Sequence, residues 1–585
     1  MKKILFLFFL FLELNSSPQF KRIAVCPGLV FGSCGYILCG DTDHDGLSEL
    51  IFSTGSLRNY IRWEIWEYRP LNRYEIVFAD TYRDPNNPPP GIHTGGFCPL
   101  DIGDIDSDGL TDLIGLNFRF GGPHVEAVIH TMESRTPFSY PDTMTWVHTP
   151  GDDMIKVYIT DLDGDGKKEI FYGYVGSYPE QTRIFEARGN NQYELVHLDS
   201  LGGYVYAFAD FDQDGKMEYA TMPIYMSSHA RIFECVGDDQ YVLACSTYVP
   251  RPDPAAPYDI FSGLGWDGKP RFFIAFHRCG IVSTYYLYMG KAIGNNSYEI
   301  TFIDSMRNTD NWGRRSKCGD VDGDGMEEVI WSIGPLLKVY KAFGNDRYQP
   351  VWRWDNPYGS CSLVNLYDMN GNGYPEIIVS GNESTHIFEV EAVRLNHPNG
   401  FQIFLPGDTV RITWRTFKPP TCDSLSLFFS SDNGNTYEVI ATGISDADTS
   451  YLWRVPNVRS DSCLIKVIAY GPGWQYDESD AFFAIFPTGI GERKDKIATG
   501  KTFLETPTIL QRGKIQIKYQ IGKESDINLF ISDASGRIIK SLFKGKQKPG
   551  SYTFTWDDKE ISPGIYFCTL ATDSFLQTKK IIITK

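Results

Sequence analysis

A nine-residue pattern, repeated along the 585 residues, limits what this chain can fold into. It reads Asp41-x-Asp43-x-Asp45-Gly46-x-x-Glu49. It returns as Asp104-x-Asp106-x-Asp108-Gly109-x-x-Asp112, Asp161-x-Asp163-x-Asp165-Gly166-x-x-Glu169, Asp210-x-Asp212-x-Asp214-Gly215-x-x-Glu218 and Asp320-x-Asp322-x-Asp324-Gly325-x-x-Glu328. A softened copy is Asp368-x-Asn370-x-Asn372-Gly373-x-x-Glu376. The starts lie 63, 57, 49, 110 and 48 residues apart, so the 110-residue interval spans two periods. It holds a degenerate copy at 263–271, where Asp267-Gly268 keep the turn while Gly263, Gly265 and Arg271 replace the other acids. Seven repeats of roughly 50 residues result.

A second marker runs between the motifs. Arg183-Ile184-Phe185-Glu186 leads to Gly189-Asn190-Asn191 and Tyr193-Glu194-Leu195-Val196; Arg231-Ile232-Phe233-Glu234 leads to Gly237-Asp238-Asp239 and Tyr241-Val242-Leu243. Each unit reads strand, acidic loop, strand, strand, Gly-Asn/Asp turn, strand, with the turn chemistry of a hairpin that needs positive φ. Four strands per unit, seven times, predict an all-β chain built on a seven-bladed β-propeller. The last unit is one strand short. Residues 20–25 match the fourth-strand pattern, so the N-terminal strand is expected to complete the last blade and remove an open edge.

Carboxylates at the first, third, fifth and ninth positions, with glycine at the sixth, make an oxygen-lined turn suited to a hard cation, calcium above all. The expected ligands are the acids of the five full loops, with Asp368, Asn370, Asn372 and Glu376 for a sixth, giving five to six Ca²⁺ and none at 263–271. An EF-hand needs Glu at the twelfth position. Here that position is Phe52, Gly115, Tyr172, Thr221, Trp331 and Val379, in apolar strands. Without a cation, four carboxylates in nine residues repel one another strongly. Much of the net charge of −18 is therefore metal ligation, and its sign argues against nucleic acid as a partner.

These motifs resemble the FG-GAP/VCBS repeat family, the integrin-α-like propellers, over roughly residues 20–392. The resemblance implies calcium loops on one face and ligand binding on the opposite one, which Arg58, Tyr60, Tyr82, Arg83, His93, Tyr178, Tyr225, Trp312, Arg314 and Tyr358 would help to build.

The remaining chain changes style. Lys2-Lys3, the apolar run 4–12 and Asn15-Ser16-Ser17 have the layout of a secretory signal peptide, 1–17, too short to span a bilayer. No later stretch is long and apolar enough for a transmembrane helix. The propeller is expected over 18–392, followed by a β-sandwich over 393–488, where about seven short strands surround the turn Asp432-Asn433-Gly434-Asn435. The sandwich resembles the Ig-like or fibronectin-like modules of bacterial surface proteins. A linker, 489–500, precedes a last domain, 501–585, that carries 14 Lys/Arg against 8 Asp/Glu in an otherwise acidic chain. Its landmarks, from Ile527-Asn528-Leu529-Phe530-Ile531 through Pro563-Gly564-Ile565-Tyr566-Phe567 to Lys579-Lys580-Ile581-Ile582-Ile583, resemble the C-terminal sorting domain of the type IX secretion system. Residues 503–507 lack that family's usual Tyr-Pro-Asn-Pro opening. Among the 12 cysteines, Cys422 with Cys463 and then Cys235 with Cys245 are the best disulfide pairs. No H-E-x-x-H or G-x-S-x-G motif is present, and no catalytic residue is assigned. The expected function is a secreted or surface-attached binding or adhesion protein that recognises an extracellular glycan or protein and engages the secretion machinery through its C-terminal domain. The alternative is a carbohydrate-active enzyme, polysaccharide lyase-like, using the face opposite the calcium loops.

Overall fold

The computed structural model describes residues 18–584 except 28–35, 55–61, 70–72, 81–96, 121–124, 150–154, 175–180, 204, 224–227, 251–254, 279–282, 309–314, 358–360, 362, 382–383, 401, 418–421, 472–473, 486–502, 506–508, 512–513, 522, 534–537, 558–563 and 573–574. The signal peptide 1–17, the linker 489–500 and all ten residues named for the ligand face lie outside the described residues. The chain is all-β. Among the described residues no helix is long and apolar enough to cross a membrane.

Two units emerge, 1–487 and 488–585. The first contains seven four-stranded antiparallel sheets, over 38–80, 98–148, 155–199, 206–248, 256–308, 317–355 and, with Phe20–Pro27 as outer strand, 363–390. Their order in the chain is the order in space. First strands adjoin from the first sheet to the third and from the fourth to the seventh, and the seventh adjoins the first. Between the third and fourth sheets, Tyr158 packs edge-on against Tyr206 and Phe208. This succession is consistent with the expected propeller. Sheets covered on both faces explain why second strands read as unbroken apolar runs: Glu328–Ile333 and Glu376–Ser380 are buried at every residue. Outer strands such as Gln192–Asp199 are exposed or half-buried at every residue.

The spare N-terminal strand lies where its pattern placed it. Phe20–Pro27 pairs antiparallel with Ser384–Val390, Phe20 opposite Val390 and Cys26 opposite Thr385. Phe20 also packs 5.1 Å from the ring of Trp352 in the sixth sheet. His386, opposite Val25, is buried beside Trp354 and bonded to the Ser384 hydroxyl at 2.9 Å.

Residues 393–485 form a three-stranded and a six-stranded sheet around one core that includes Trp414, Leu427, Trp453, Ile465 and Phe483. This sandwich is fastened to the seventh sheet. The buried carboxylate of Asp477 pairs with Lys21 of the N-terminal strand and accepts the Leu395 N–H at 2.7 Å. The Trp474 N–H donates to the Asn372 carbonyl of the last acidic loop at 3.1 Å. In the second unit, a three-stranded and a five-stranded sheet enclose Leu504, Ile517, Leu529, Ile531, Leu570 and Ile581.

The disulfide expectations are corrected. The antiparallel register pairs Ser424 with Tyr470 and Ser430 with Leu464, so Cys422 and Cys463 belong to opposite ends of the sheet, about 30 Å apart at 3.3 Å per residue. Cys245 faces Ile232, three residues along the strand from Cys235. Neither pair is joined, and these thiols serve as small core or near-core residues.

Two outcomes are expected. Deleting 18–27 leaves the Ser384–Val390 edge bare, and the variant should aggregate or lose its cooperative melt; a melt identical to the parent's would contradict closure by this strand. Burial, reinforced by Arg22, holds His386 down to about 4. The unfolded chain takes up a proton near pH 6.5 and the folded one does not, so stability falls as pH drops from 6.5 to 4. His386→Gln should flatten that limb in calorimetric melts.

Candidate metal centres

Each acidic loop joins the first and second strands of its sheet, and one hydrogen bond recurs in five of the six copies. The first-position carboxylate accepts the N–H of the sixth residue, at 3.0 Å in the Asp41 and Asp210 loops, 3.1 Å in the Asp104 loop and 2.8 Å in the Asp320 and Asp368 loops. The sixth-position glycines hold φ between +86° and +93°, a conformation L side chains rarely adopt. The fourth position is left-handed too, at His44, Ser107, Gly164, Gln213, Gly323 and Gly371. Only the sixth was anticipated, because His, Ser and Gln do not announce αL.

The ninth residue decides the chemistry. Glu49, Asp112, Glu169, Glu218, Glu328 and Glu376 are fully buried. One oxygen accepts the N–H of the second loop residue, from Thr42 in the first loop and at 2.8, 2.7, 2.6, 3.2 and 2.7 Å from Ile105, Leu162, Phe211, Val321 and Met369. The other oxygen of Glu328 is buried 3.2 Å from the Lys341 ammonium without a hydrogen bond, and that of Glu49, Asp112, Glu169 and Glu218 is buried with no hydrogen-bond partner. Burial pushes the carboxyls of these last four up to about 8, against the opposing N–H bond. The ligand atoms of Asp41, Asp43, Asp45 and Glu49 lie within 4.8 Å of one another, as do those of Asp161, Asp163, Asp165 and Glu169, those of Asp210, Asp212, Asp214 and Glu218, and those of Asp104, Asp106 and Asp108. Converging oxygens with a buried acceptor that no donor reaches can hold a metal ion.

The structure adds groups that motif spacing did not include. Glu67, Glu133, Glu186 and Glu234, on third strands, stand opposite the ninth residues. The hairpin tip of the following sheet seals the loop. The Asp239 N–H donates to Asp163 at 3.0 Å and the Asn296 N–H to Asp212 at 2.6 Å, while Asn191 does the same to Asp106. The signals were in the sequence, as Ile-Phe-Glu and the Gly-Asn/Asp turns. What they touch depends on register and sheet order.

The degenerate loop at 263–271 carries its own cation. Arg271, 1% exposed, donates to Asp267 at 2.7 Å and to Asp346 of the next hairpin tip at 3.1 Å, and Lys291 reaches Asp346 at 2.8 Å. Where the loop lost acids it gained a guanidinium.

A further polar cluster lines the first strands. Bulges after Pro99 and Pro257 turn Asp101 and Asp259 towards the following sheet, where they accept the N–H of Ile159 at 2.9 Å and of Ser316 at 2.7 Å. Lys156 lies 3.6 Å from Asp259, and Arg315 stacks 3.5 Å above Tyr36. These acids staple neighbouring sheets.

Comparison with known proteins agrees with parts of this description. Residues 137–221, which contain the Asp161 and Asp210 loops, match the FG-GAP-like repeat family. Residues 511–584 match the secretion system C-terminal sorting domain, so the second unit carries a sorting domain for export. A search of curated proteins finds no match. Among solved structures, β-glucuronidase 3 of Bacteroides uniformis is 12% identical with a TM-score of 0.14; the match covers 33% of this chain and a quarter of that one (25%). The exo-β-1,3-galactanase of Phanerochaete chrysosporium is 10% identical over 78% of this chain and 99% of its own, TM-score 0.29. The α-L-arabinanase of Penicillium chrysogenum is 8% identical over 64% and 99%, TM-score 0.34. Likenesses this remote carry no functional argument.

Removing one partner of a buried ion pair strands the other, at a cost of about 3–5 kcal/mol. Asp346→Asn leaves Arg271 its bond to Asp267, so it should lower stability by less than that full cost in denaturant melts, with bound metal per chain unchanged.

Proposed function

We propose that this chain is an exported, calcium-stabilised binding or adhesion protein. Its seven sheets are the blades of a closed β-propeller, 18–392, followed by an Ig- or fibronectin-like sandwich, 393–488, a linker, 489–500, and a sorting domain, 501–585, read by type IX secretion. An N-terminal signal peptide, 1–17, starts the export. The observation that carries the calcium reading is the recurrence, at Glu49, Asp112, Glu169 and Glu218, of a fully buried ninth-position acid with one oxygen left without a donor and a glutamate opposite it on the third strand. The match at 511–584 supports export to the cell surface or medium. Outside the cell the propeller face opposite the calcium loops recognises a glycan or protein.

Calcium that binds the folded loops and not the dispersed acids of the unfolded chain stabilises by mass action. Excess chelator should lower the melting temperature of the purified protein markedly, and an unchanged melt would remove the calcium reading. Deleting 501–585 should leave the rest folded and calcium-bound but strand it in the periplasm of a host with the matching machinery. Finding the truncated protein outside the cell would instead leave an adhesive module as the better reading of that domain. For the ligand, glycan and protein arrays beside a polysaccharide-depolymerisation assay separate the two functions: capture without new reducing or unsaturated ends supports binding, and new ends support the enzyme.

A further inference from the structure

The five loops that match the acidic motif in full are not equivalent. In four of them the residue facing the ninth position from the third strand is an acid: Glu67, Glu133, Glu186 and Glu234. In the sixth sheet the register pairs Val329 with Tyr340, and one step further Glu328 meets Lys341. Its ammonium lies 2.7 Å from Asp322, 2.6 Å from Asp324 and 3.2 Å from Glu328, the third, fifth and ninth positions of the loop. The side chain is 11% exposed.

Two other lysines show what an ordinary surface contact looks like. Lys167 and Lys216, 42% and 47% exposed, approach their loops from outside and pair with the fifth residue and the facing glutamate. Lys341 instead stands among the three acids on which an ion would be centred. A lysine ammonium brings one positive charge and three donors. It donates to the third carboxylate and offsets the charge of the ninth from 3.2 Å, both fully buried here, and a divalent cation a few ångströms away would meet strong repulsion. The sixth loop also lacks the tip that seals other loops. The outer strand of the following sheet is Phe20–Pro27, so no hairpin joins it to Ser384–Val390. The fifth sheet shows the same device with Arg271 and Lys291.

We propose that Lys341 takes the ion's place in the loop at 320–328, so that this loop matches the calcium motif in full and yet binds no divalent cation. The residue facing the ninth position thus selects between a metal and an internal cation. This rests on the calcium reading of the other four loops, and the experiment separates the two. Calcium bound per folded full-length chain is counted by native mass spectrometry, for the parent, Asp161→Asn, Asp320→Asn and Lys341→Glu. Asp161→Asn should lose one ion and Asp320→Asn none, while Lys341→Glu, which restores the acid found in the other sheets, should gain one. Loss of one ion in Asp320→Asn overturns the proposal, as does a folded Lys341→Glu that gains none. If Lys341→Glu fails to fold, the Asp320→Asn count alone decides. A parent that binds no calcium at all, with Asp161→Asn unchanged, overturns the calcium reading itself and the contrast with it.

Discussion

The seven-sheet unit turns on placing a fully buried carboxylate at the start of the second strand in six of its sheets. Such a group is costly to desolvate unless something positive or hydrogen-bonding answers each oxygen. One oxygen always receives the N–H of the second loop residue. How the other is answered divides the loops. The acids that gather round Glu49, Asp112, Glu169 and Glu218 suit a metal, Glu328 meets Lys341, and the fifth sheet replaces its acid outright with Arg271. These are alternative solutions to one electrostatic problem, and the positive φ of the sixth glycine is kept in all, Gly268 included.

The same groups join neighbouring sheets. Hairpin tips carrying Asn191, Asp239, Asn296 and Asp346 reach across to the loop of the sheet before, and Asp101 and Asp259 bind the backbone of the sheet after. Neutralising a loop therefore also secures the contact between two sheets. The seventh sheet is secured differently, by the N-terminal strand and by the sandwich strand that reaches its loop.

Much of this was legible in the sequence because it is local. The acidic motif, its glycine, the degenerate copy at 263–271 and the spare strand before Cys26 all lie within short windows with a fixed spacing. Contacts fixed by register were not legible. Lys341 in Val339-Tyr340-Lys341 occupies the place of Glu186 in Ile184-Phe185-Glu186, yet only strand pairing shows that each faces the ninth loop residue. The same blindness misled the cysteine reading: Cys422 and Cys463 are alone in their domain, but antiparallel pairing sends them to opposite ends. For the ligand face, the named aromatics and arginines fall outside the described residues, so its chemistry stays an expectation from resemblance.

The most direct measurement is anomalous diffraction from crystals of the folded protein grown in calcium. The expected map has strong peaks beside Glu49, Asp112, Glu169 and Glu218, with none beside Arg271 or Lys341. Peaks missing from the first four loops, or one of equal height in the loop at 320–328, would contradict the view that buried carboxylates are matched by metal in some loops and by the chain's own cations in others.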